Sequence, residues 1–404
     1  MWMHLFSFMI LASGTQSRPA TSCQARCGGL DIPYPFGIGS GCFHSKGLEI
    51  TCNNGLVATL AGTGIQVLSL SVDPRPKVQV MLPVAYECHN SSGQITKWFN
   101  GSVVDHFTGG DKGVVYRISG RRNKLVVLGC STMAYIKSND GDSSYYYTGC
   151  ISYCNGSRSA QSGWCGSVGC CDVDIPEGGL VLDNNGPVIT FRSWPQQVRQ
   201  QVAESSGGCD YAFLVDKDEY RPLRRDDLNM SLNKTMPVWL DWALTRPDGG
   251  GNASICASAN SEYVNSTNGN GYYYCKCSSG YEGNPYDEDP DKGCKDIDEC
   301  ARPREQYYPC YGVCRNTPGD YECSCRIGYH PIGGGPKKHK CTSKFPLAAQ
   351  LALGKYILCY VSIFNFELCP SLAKKKWMEN EISLQSSSNR KLSRALGIGH
   401  VLAQ

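Results

Sequence analysis

The chain has 404 residues, a formal net charge of +3, 19% charged residues and 24 cysteines. That length allows two or three domains, and so balanced a charge supports neither a nucleic-acid-binding protein nor an acidic disordered tail. Free thiols at this density are a liability in an oxidising compartment, and the CxxC pairs that zinc modules repeat do not occur, so a disulfide framework is favoured.

The amino terminus opens with a short apolar run, Leu5 to Leu11, followed by the small residues Ala12 to Gly14, and residues 1–17 read as a signal peptide. Next comes CGGLDIPYPFGIGSGC, residues 27–42, where cysteines enclose prolines, glycines and two aromatics. Pro33 and Pro35 fix backbone angles and resist a central strand, while Gly37, Gly39 and Gly41 permit tight bends. Tyr34 and Phe36 have two open roles, packing into a small disulfide-held core or stacking on sugar rings.

Short β-branched runs follow: GIQVLSLSV (64–72), KVQVMLPV (77–84), GVVYRISG (113–120) and NKLVVLGC (123–130). Gly, Pro and Asn turns separate them, which predicts a mainly β, disulfide-rich ectodomain of several domains. Arg192 to Ser205 reads as a short amphipathic turn. Sequons at Asn90, Asn100, Asn155, Asn229, Asn233, Asn252 and Asn265 predict a glycosylated, exported surface.

The cysteines fall into blocks of twelve (Cys23 to Cys209), four (Cys256 to Cys294) and six (Cys300 to Cys341), with Cys359 and Cys369 beyond. The three blocks are even, so each can pair internally, although connectivity within them is not legible. A glycine-rich linker, Pro247 to Ser254, separates the first two.

DIDEC (296–300) followed by CRNTPGDYECSC (314–325) resembles the calcium-binding epidermal-growth-factor-like module, a small β-hairpin unit. The resemblance implies calcium as cofactor, held by charge from Asp296 and Glu299, an amide oxygen from Asn316 and carbonyls of Ile297 and Thr317, a donor set suited to a hard cation. It implies the pairs Cys300–Cys314, Cys310–Cys323 and Cys325–Cys341, and an aromatic role for Tyr321 against a neighbouring module. Asp298 alternates with the ligands and reads as a surface charge. Residues 252–295 resemble a degenerate module of the same kind, with Tyr263 where a cysteine is expected and no acidic pair before Cys256.

CQARCGGLDIPYPFGIGSGC (23–42), GWCGSVGCCDVDIPEG (163–178) and MPVWLDWAL (236–244), in that order before the repeats, resemble the extracellular region of plant wall-associated receptor kinases. This implies a galacturonan-binding-like module at 18–130, a wall-associated cysteine-rich region at 131–246, the degenerate module at 252–295 and the calcium-binding module at 296–341. The implied ligand is de-esterified pectin or its oligogalacturonides. A polyanion suits basic side chains, and residues 18–130 carry eleven Lys/Arg against six Asp/Glu. Arg117, Arg121, Arg122 and Lys124 crowd one turn and are the candidate contacts, with a solvated hairpin tip as the plain alternative.

Full-length members of that family continue into a membrane helix and a kinase. Residues 345–373 read as a possible transmembrane segment interrupted by Lys355, Glu367 and Pro370, and 374–404 as a short polar tail. No HRD, DFG, HExxH or GxSxG motif occurs, and the seven histidines are scattered, so the expectation is a truncated, non-enzymatic chain. The leading function is pectin binding at the cell surface or in the wall, with a calcium-rigidified stalk. The alternative is a protein–protein module that binds extracellular proteins or full-length receptors, or acts as their secreted decoy.

Overall fold

The computed structural model describes residues 23–343 except 103–112, 131, 140–144, 155–158, 160–161, 167, 177–179, 182–188, 193–207, 222–224, 247–254, 267–270 and 303–307, together with Leu351. The signal peptide, the Arg192–Ser205 turn beyond Arg192, the 345–373 span apart from Leu351, the tail, Asn155 and Asn252 lie outside the described residues. Among those described, no helix is long and apolar enough to cross a membrane. The chain divides into two compact units, Met1–Ile297 and Asp298–Gln404.

In the first unit the strands are β1 (Arg26–Cys27), β2 (Leu30–Asp31), β3 (Ile50–Asn53), β4 (Val57–Leu60), β5 (Val67–Ser71), β6 (Lys77–Pro83), β7 (Ala85–His89) and β8 (Ile95–Phe99). They continue as β9 (Val114–Ile118), β10 (Asn123–Leu128), β11 (Thr132–Asn139), β12 (Tyr145–Ser152), β13 (Cys170–Asp174), β14 (Leu180–Val181) and β15 (Ile189–Arg192). The last are β16 (Cys209–Asp216), β17 (Thr235–Thr245), β18 (Ser261–Asn265), β19 (Tyr272–Cys277), β20 (Tyr281–Glu282) and β21 (Lys295–Asp296). The four expected strands are all present, as β5, β6, β9 and β10.

Three sheets carry this unit. β17 is the spine of a seven-stranded sheet: its first part pairs with β6, its second with β9, and its end with β19 of the degenerate module. A five-stranded sheet runs β13-β10-β16-β7-β8, and a three-stranded one β12-β11-β15. Strands from before and after residue 130 mix in the seven- and five-stranded sheets, whereas the three-stranded one is drawn wholly from residues after 130. β9 and β10 do not pair with each other, so the Ser119–Arg122 turn passes the chain from one sheet to another and is not a hairpin tip.

Period-2 alternation accounts for the layering. In β6, Val78, Val80 and Leu82 are buried while Lys77, Gln79 and Met81 are half-exposed. β10 and β16 are apolar on both faces because each face meets a core. Leu125, Val127, Ala212 and Leu214 join the main core with β6, β9 and β17. Val126, Leu128, Phe213 and Val215 face a second, smaller core on the outer side of the five-stranded sheet.

The twelve cysteines of the first block form Cys23–Cys42, Cys27–Cys52, Cys88–Cys209, Cys130–Cys154, Cys150–Cys171 and Cys165–Cys170. The degenerate module has Cys256–Cys275 and Cys277–Cys294. Tyr263, standing where a cysteine was expected, stacks on Tyr273 at 4.6 Å between centroids. Phe36 of the opening loop is buried against Trp242, so of its two open roles it fills the packing one.

The second unit contains β22 (Val313–Thr317), β23 (Asp320–Ser324), β24 (Tyr329–His330) and β25 (Thr342–Ser343), paired as two hairpins. Its bridges are Cys300–Cys314, Cys310–Cys323 and Cys325–Cys341.

Candidate functional site

The turn between β9 and β10 is held from inside. The Asn123 amide, fully buried, donates to the carbonyls of Ser119 (2.8 Å) and Trp239 (2.7 Å), and its Oδ1 accepts from the Trp239 N–H at 2.9 Å. This ties the turn that carries Arg121 and Arg122 to the middle of β17. There the Trp239 indole donates to Asp216 Oδ2 at 2.6 Å, and Gln79 Nε2 donates to the same oxygen at 3.0 Å.

Two cations flank the Trp239 ring: Lys77 Nζ at 4.9 Å and Arg122 Cζ at 4.8 Å from its centroid. Two residues along β17, Asp241 lies opposite Lys77 on one neighbouring strand and Arg117 on the other. Residues directly opposite in a sheet present their side chains on one face. Arg75 and Arg121 act on Asp241 electrostatically, so five basic groups gather about Trp239 and Asp241. Arg122 is paired with Asp218 at 2.9 Å.

Burial raises the Asp241 carboxyl, against the opposing pull of a Ser119 hydrogen bond and of Lys77, Arg75 and Arg121. Burial also lowers Lys77, and Arg122 and Arg75 repel its charge while Asp241 and Asp216 support it. A cluster in which cations are desolvated and crowd one another gains from an incoming anion.

Of the four basic residues expected at a polyanion site, Arg117, Arg121 and Arg122 belong to this cluster. Lys124 turns to the other face of its sheet, pairing with Asp172 at 3.1 Å and covering the Tyr220 ring at 4.9 Å. Sequence reasoning missed Arg75, Lys77, Trp239 and Asp241 as site residues. The two basic ones were visible only as part of a charge excess, and Trp239 and Asp241 only as part of a motif.

At the calcium-binding pattern, Asp296 pairs with Tyr281 across β20 and β21, and the Ile297 N–H donates to the Gly280 carbonyl at 2.9 Å. In the second unit Asn316 lies opposite Tyr321, and Thr317 Oγ1 donates to the Asp320 carbonyl at 2.7 Å. Glu299 is only 2% exposed, and its Oε2 is buried with no hydrogen-bond partner among the described residues. A buried carboxylate oxygen left unmatched is costly unless a cation meets it, which fits the chemistry of a calcium ligand. Asp298 is used locally, its Oδ1 accepting from the N–H groups of Cys300 (3.0 Å) and Ala301 (3.1 Å). Tyr321 is buried within its own unit, its hydroxyl donating to the Pro309 carbonyl at 2.9 Å and Lys337 Nζ lying 4.0 Å from its ring centroid. No cluster of three or more His, Cys, Asp or Glu side chains able to hold a metal occurs among the described residues. The expected donor set has only two carboxylates and would not form such a cluster.

Of the sequons, Asn229, Asn233 and Asn265 are exposed and Asn90 and Asn100 half-exposed. The Asn90 and Asn100 side-chain oxygens each accept a backbone N–H from two residues on, closing local turns.

A strand-built, disulfide-bridged unit with a basic surface cluster, followed by a growth-factor-like hairpin unit, defines a modular extracellular binding protein. Comparison with known proteins makes this specific. Residues 23–80 match the family "wall-associated receptor kinase galacturonan-binding" and residues 296–341 the "calcium-binding EGF domain". Similar curated proteins of Arabidopsis thaliana include wall-associated receptor kinase 2 (30% identity over 354 residues, 85% of this chain and 43% of the relative). Wall-associated receptor kinase 4 is 31% identical over 80% of this chain and 41% of its own length, and wall-associated receptor kinase 3 is 33% identical over 76% and 40%. The chain carries an ectodomain of the wall-associated receptor kinase family. It spans about two fifths of the length of these relatives. No solved structure matches.

Proposed function

We propose that the chain binds de-esterified pectin outside the cell, through the basic cluster around Trp239, with the 296–341 module as a calcium-stiffened stalk. The observation that carries this reading is the convergence of Arg75 and Lys77, inside the galacturonan-binding match, with Arg117, Arg121 and Arg122, outside it, upon one aromatic ring and one carboxylate. Arginine engages carboxylates in a planar, two-pronged fashion, and spaced arginines match a chain bearing one carboxylate per sugar. Eleven disulfides among the described residues support an oxidising, extracellular location. The site acts by charge and shape; both matched modules are binding modules, and no catalytic role is assigned.

For calcium, Glu299, Asp296 and Asn316 side chains with the Ile297 and Thr317 carbonyls are the proposed ligands. The ion would supply the positive charge that buried Glu299 Oε2 lacks.

The test is binding of the secreted, glycosylated chain to oligogalacturonate across a salt series, with calcium and with chelator. Binding that weakens with salt and persists under chelation is expected. Absence of binding at low salt in both arms would refute the reading.

A further inference from the structure

The outer face of the five-stranded sheet holds a cleft that the polysaccharide reading does not use. Its volume is about 80 Å³, and much of its lining is apolar: Val126 and Leu128 of β10, Phe213 and Val215 of β16, Met230, and Met236 at the start of β17. Tyr220, Arg221, Asp227 and Glu219 complete the lining, Glu219 and Arg221 on its exposed side. An apolar engineered cavity of ~150 Å³ accommodates benzene, so a space about half as large suits a branched aliphatic group. The two methionines adapt to such a group more readily than branched side chains would.

Charge on the exposed side selects what the aliphatic group is attached to. Arg221 is held bidentately by Asp227, at 2.7 and 2.9 Å, and Lys124 by Asp172 at 3.1 Å. Glu219 is exposed and, among the described residues, its carboxylate carries no ion pair. Trp164 lies tilted against Tyr220, with centroids 5.6 Å apart and planes at 49°, yet is 68% exposed, leaving most of the indole open to solvent. An uncommitted carboxylate and an open indole both attract a cation. They also disfavour an acidic polysaccharide, which Glu219 would repel. Exposed Trp beside a pocket with Tyr and Arg is the composition of a protein-binding hot spot.

We propose that this cleft is a second binding site, which takes a peptide segment of an extracellular protein in which an aliphatic side chain adjoins a basic one. The aliphatic group enters between Leu128, Phe213 and Met230, and the cation rests between Glu219 and Trp164. The inference stands apart from pectin binding, since it uses the opposite side of β10 from the main core and none of the five basic residues.

Saturation-transfer NMR on the secreted chain tests it with three blocked dipeptide amides: acetyl-Leu-Lys, acetyl-Leu-Glu and acetyl-Ser-Lys. The Leu-Lys probe is expected to bind at least tenfold more tightly than either of the others. Glu219→Gln, a surface change that leaves the fold intact by circular dichroism, should abolish the preference for Lys over Glu while keeping that for Leu over Ser. Trp164→Ala should weaken Leu-Lys severalfold. Equal signals from the three probes, no signal from Leu-Lys at millimolar concentration, or an unchanged charge preference in Glu219→Gln would overturn the proposal. Displacement of Leu-Lys by oligogalacturonate would also overturn it, because the cleft would then be part of a sugar site.

Discussion

Phe36 meets the Trp242 ring edge-on, with centroids 5.1 Å apart and planes at 83°. Trp242 in turn lies 5.9 Å from Tyr286 of the degenerate module, whose Asn284 donates to the Tyr34 carbonyl at 2.6 Å. The opening loop, β17 and the degenerate module therefore share one aromatic contact in the main core. Phe36→Ala leaves a cavity that the disulfides Cys23–Cys42 and Cys27–Cys52 prevent from collapsing, and should cost about 3–5 kcal/mol. Thermal unfolding of the secreted protein checks this. A melting temperature equal to that of the parent chain would show that the loop does not anchor the unit.

The basic cluster predicts which charges matter. Arg75 and Arg121 are exposed and can be reversed without disturbing the core. Arg75→Glu combined with Arg121→Glu should lower affinity for oligogalacturonate at least tenfold and flatten its salt dependence. Lys124→Gln, on the other face, should leave affinity within twofold. Binding measured by calorimetry or biolayer interferometry separates these, and the reverse order would move the site to the Tyr220 side of the sheet.

Asp241 sets the direction of a pH effect. Burial raises its carboxyl from an ordinary 3.8, so the folded state holds its proton to higher pH than the unfolded chain does. Within that window the folded state binds more protons, and stability falls as pH rises. For binding, each protonation of Asp241 makes the cluster one charge more positive, while an exposed sugar carboxylate stays ionised down to about pH 4. Affinity should therefore rise as acidification protonates Asp241 ahead of the sugar carboxylates, and Asp241→Asn should bind more tightly at neutral pH with a flatter profile. Affinity that drops on acidification would contradict this assignment.

The even cysteine blocks, the short β-branched runs and the growth-factor-like spacing were legible because each is a local pattern, written within a few tens of residues. The basic cluster was not. Lys77 and Trp239 meet at 4.9 Å although 161 residues lie between them, and the contact depends on the register of β6 against β17. Sequence alternation says that Lys77 and Asp241 each point outward; it does not say that they are opposite one another. Lys124 failed to join its neighbours for the same reason. One residue along a strand reverses the face, and only the pairing of β10 with β13 and β16 decides what waits there.

Glu299 carries the last prediction. Its buried Oε2 lacks a partner among the described residues, so the carboxylate is a cost to the folded module until a cation meets it. Calcium that binds only the folded state adds RT ln(1 + [L]/Kd), about 2.7 kcal/mol at a hundredfold excess over Kd. Calcium should then raise the unfolding temperature of this module and protect the 296–341 segment from proteolysis, and chelator should reverse both. Glu299→Gln keeps the shape and removes the charge. It should raise stability in chelator, because the unmatched charge is gone, and should abolish most of the calcium-dependent gain. The opposite signs of these two effects separate a ligand from a merely structural glutamate, for which Gln would behave alike with and without calcium. Calorimetric scans of parent and variant, each in calcium and in chelator, decide between them.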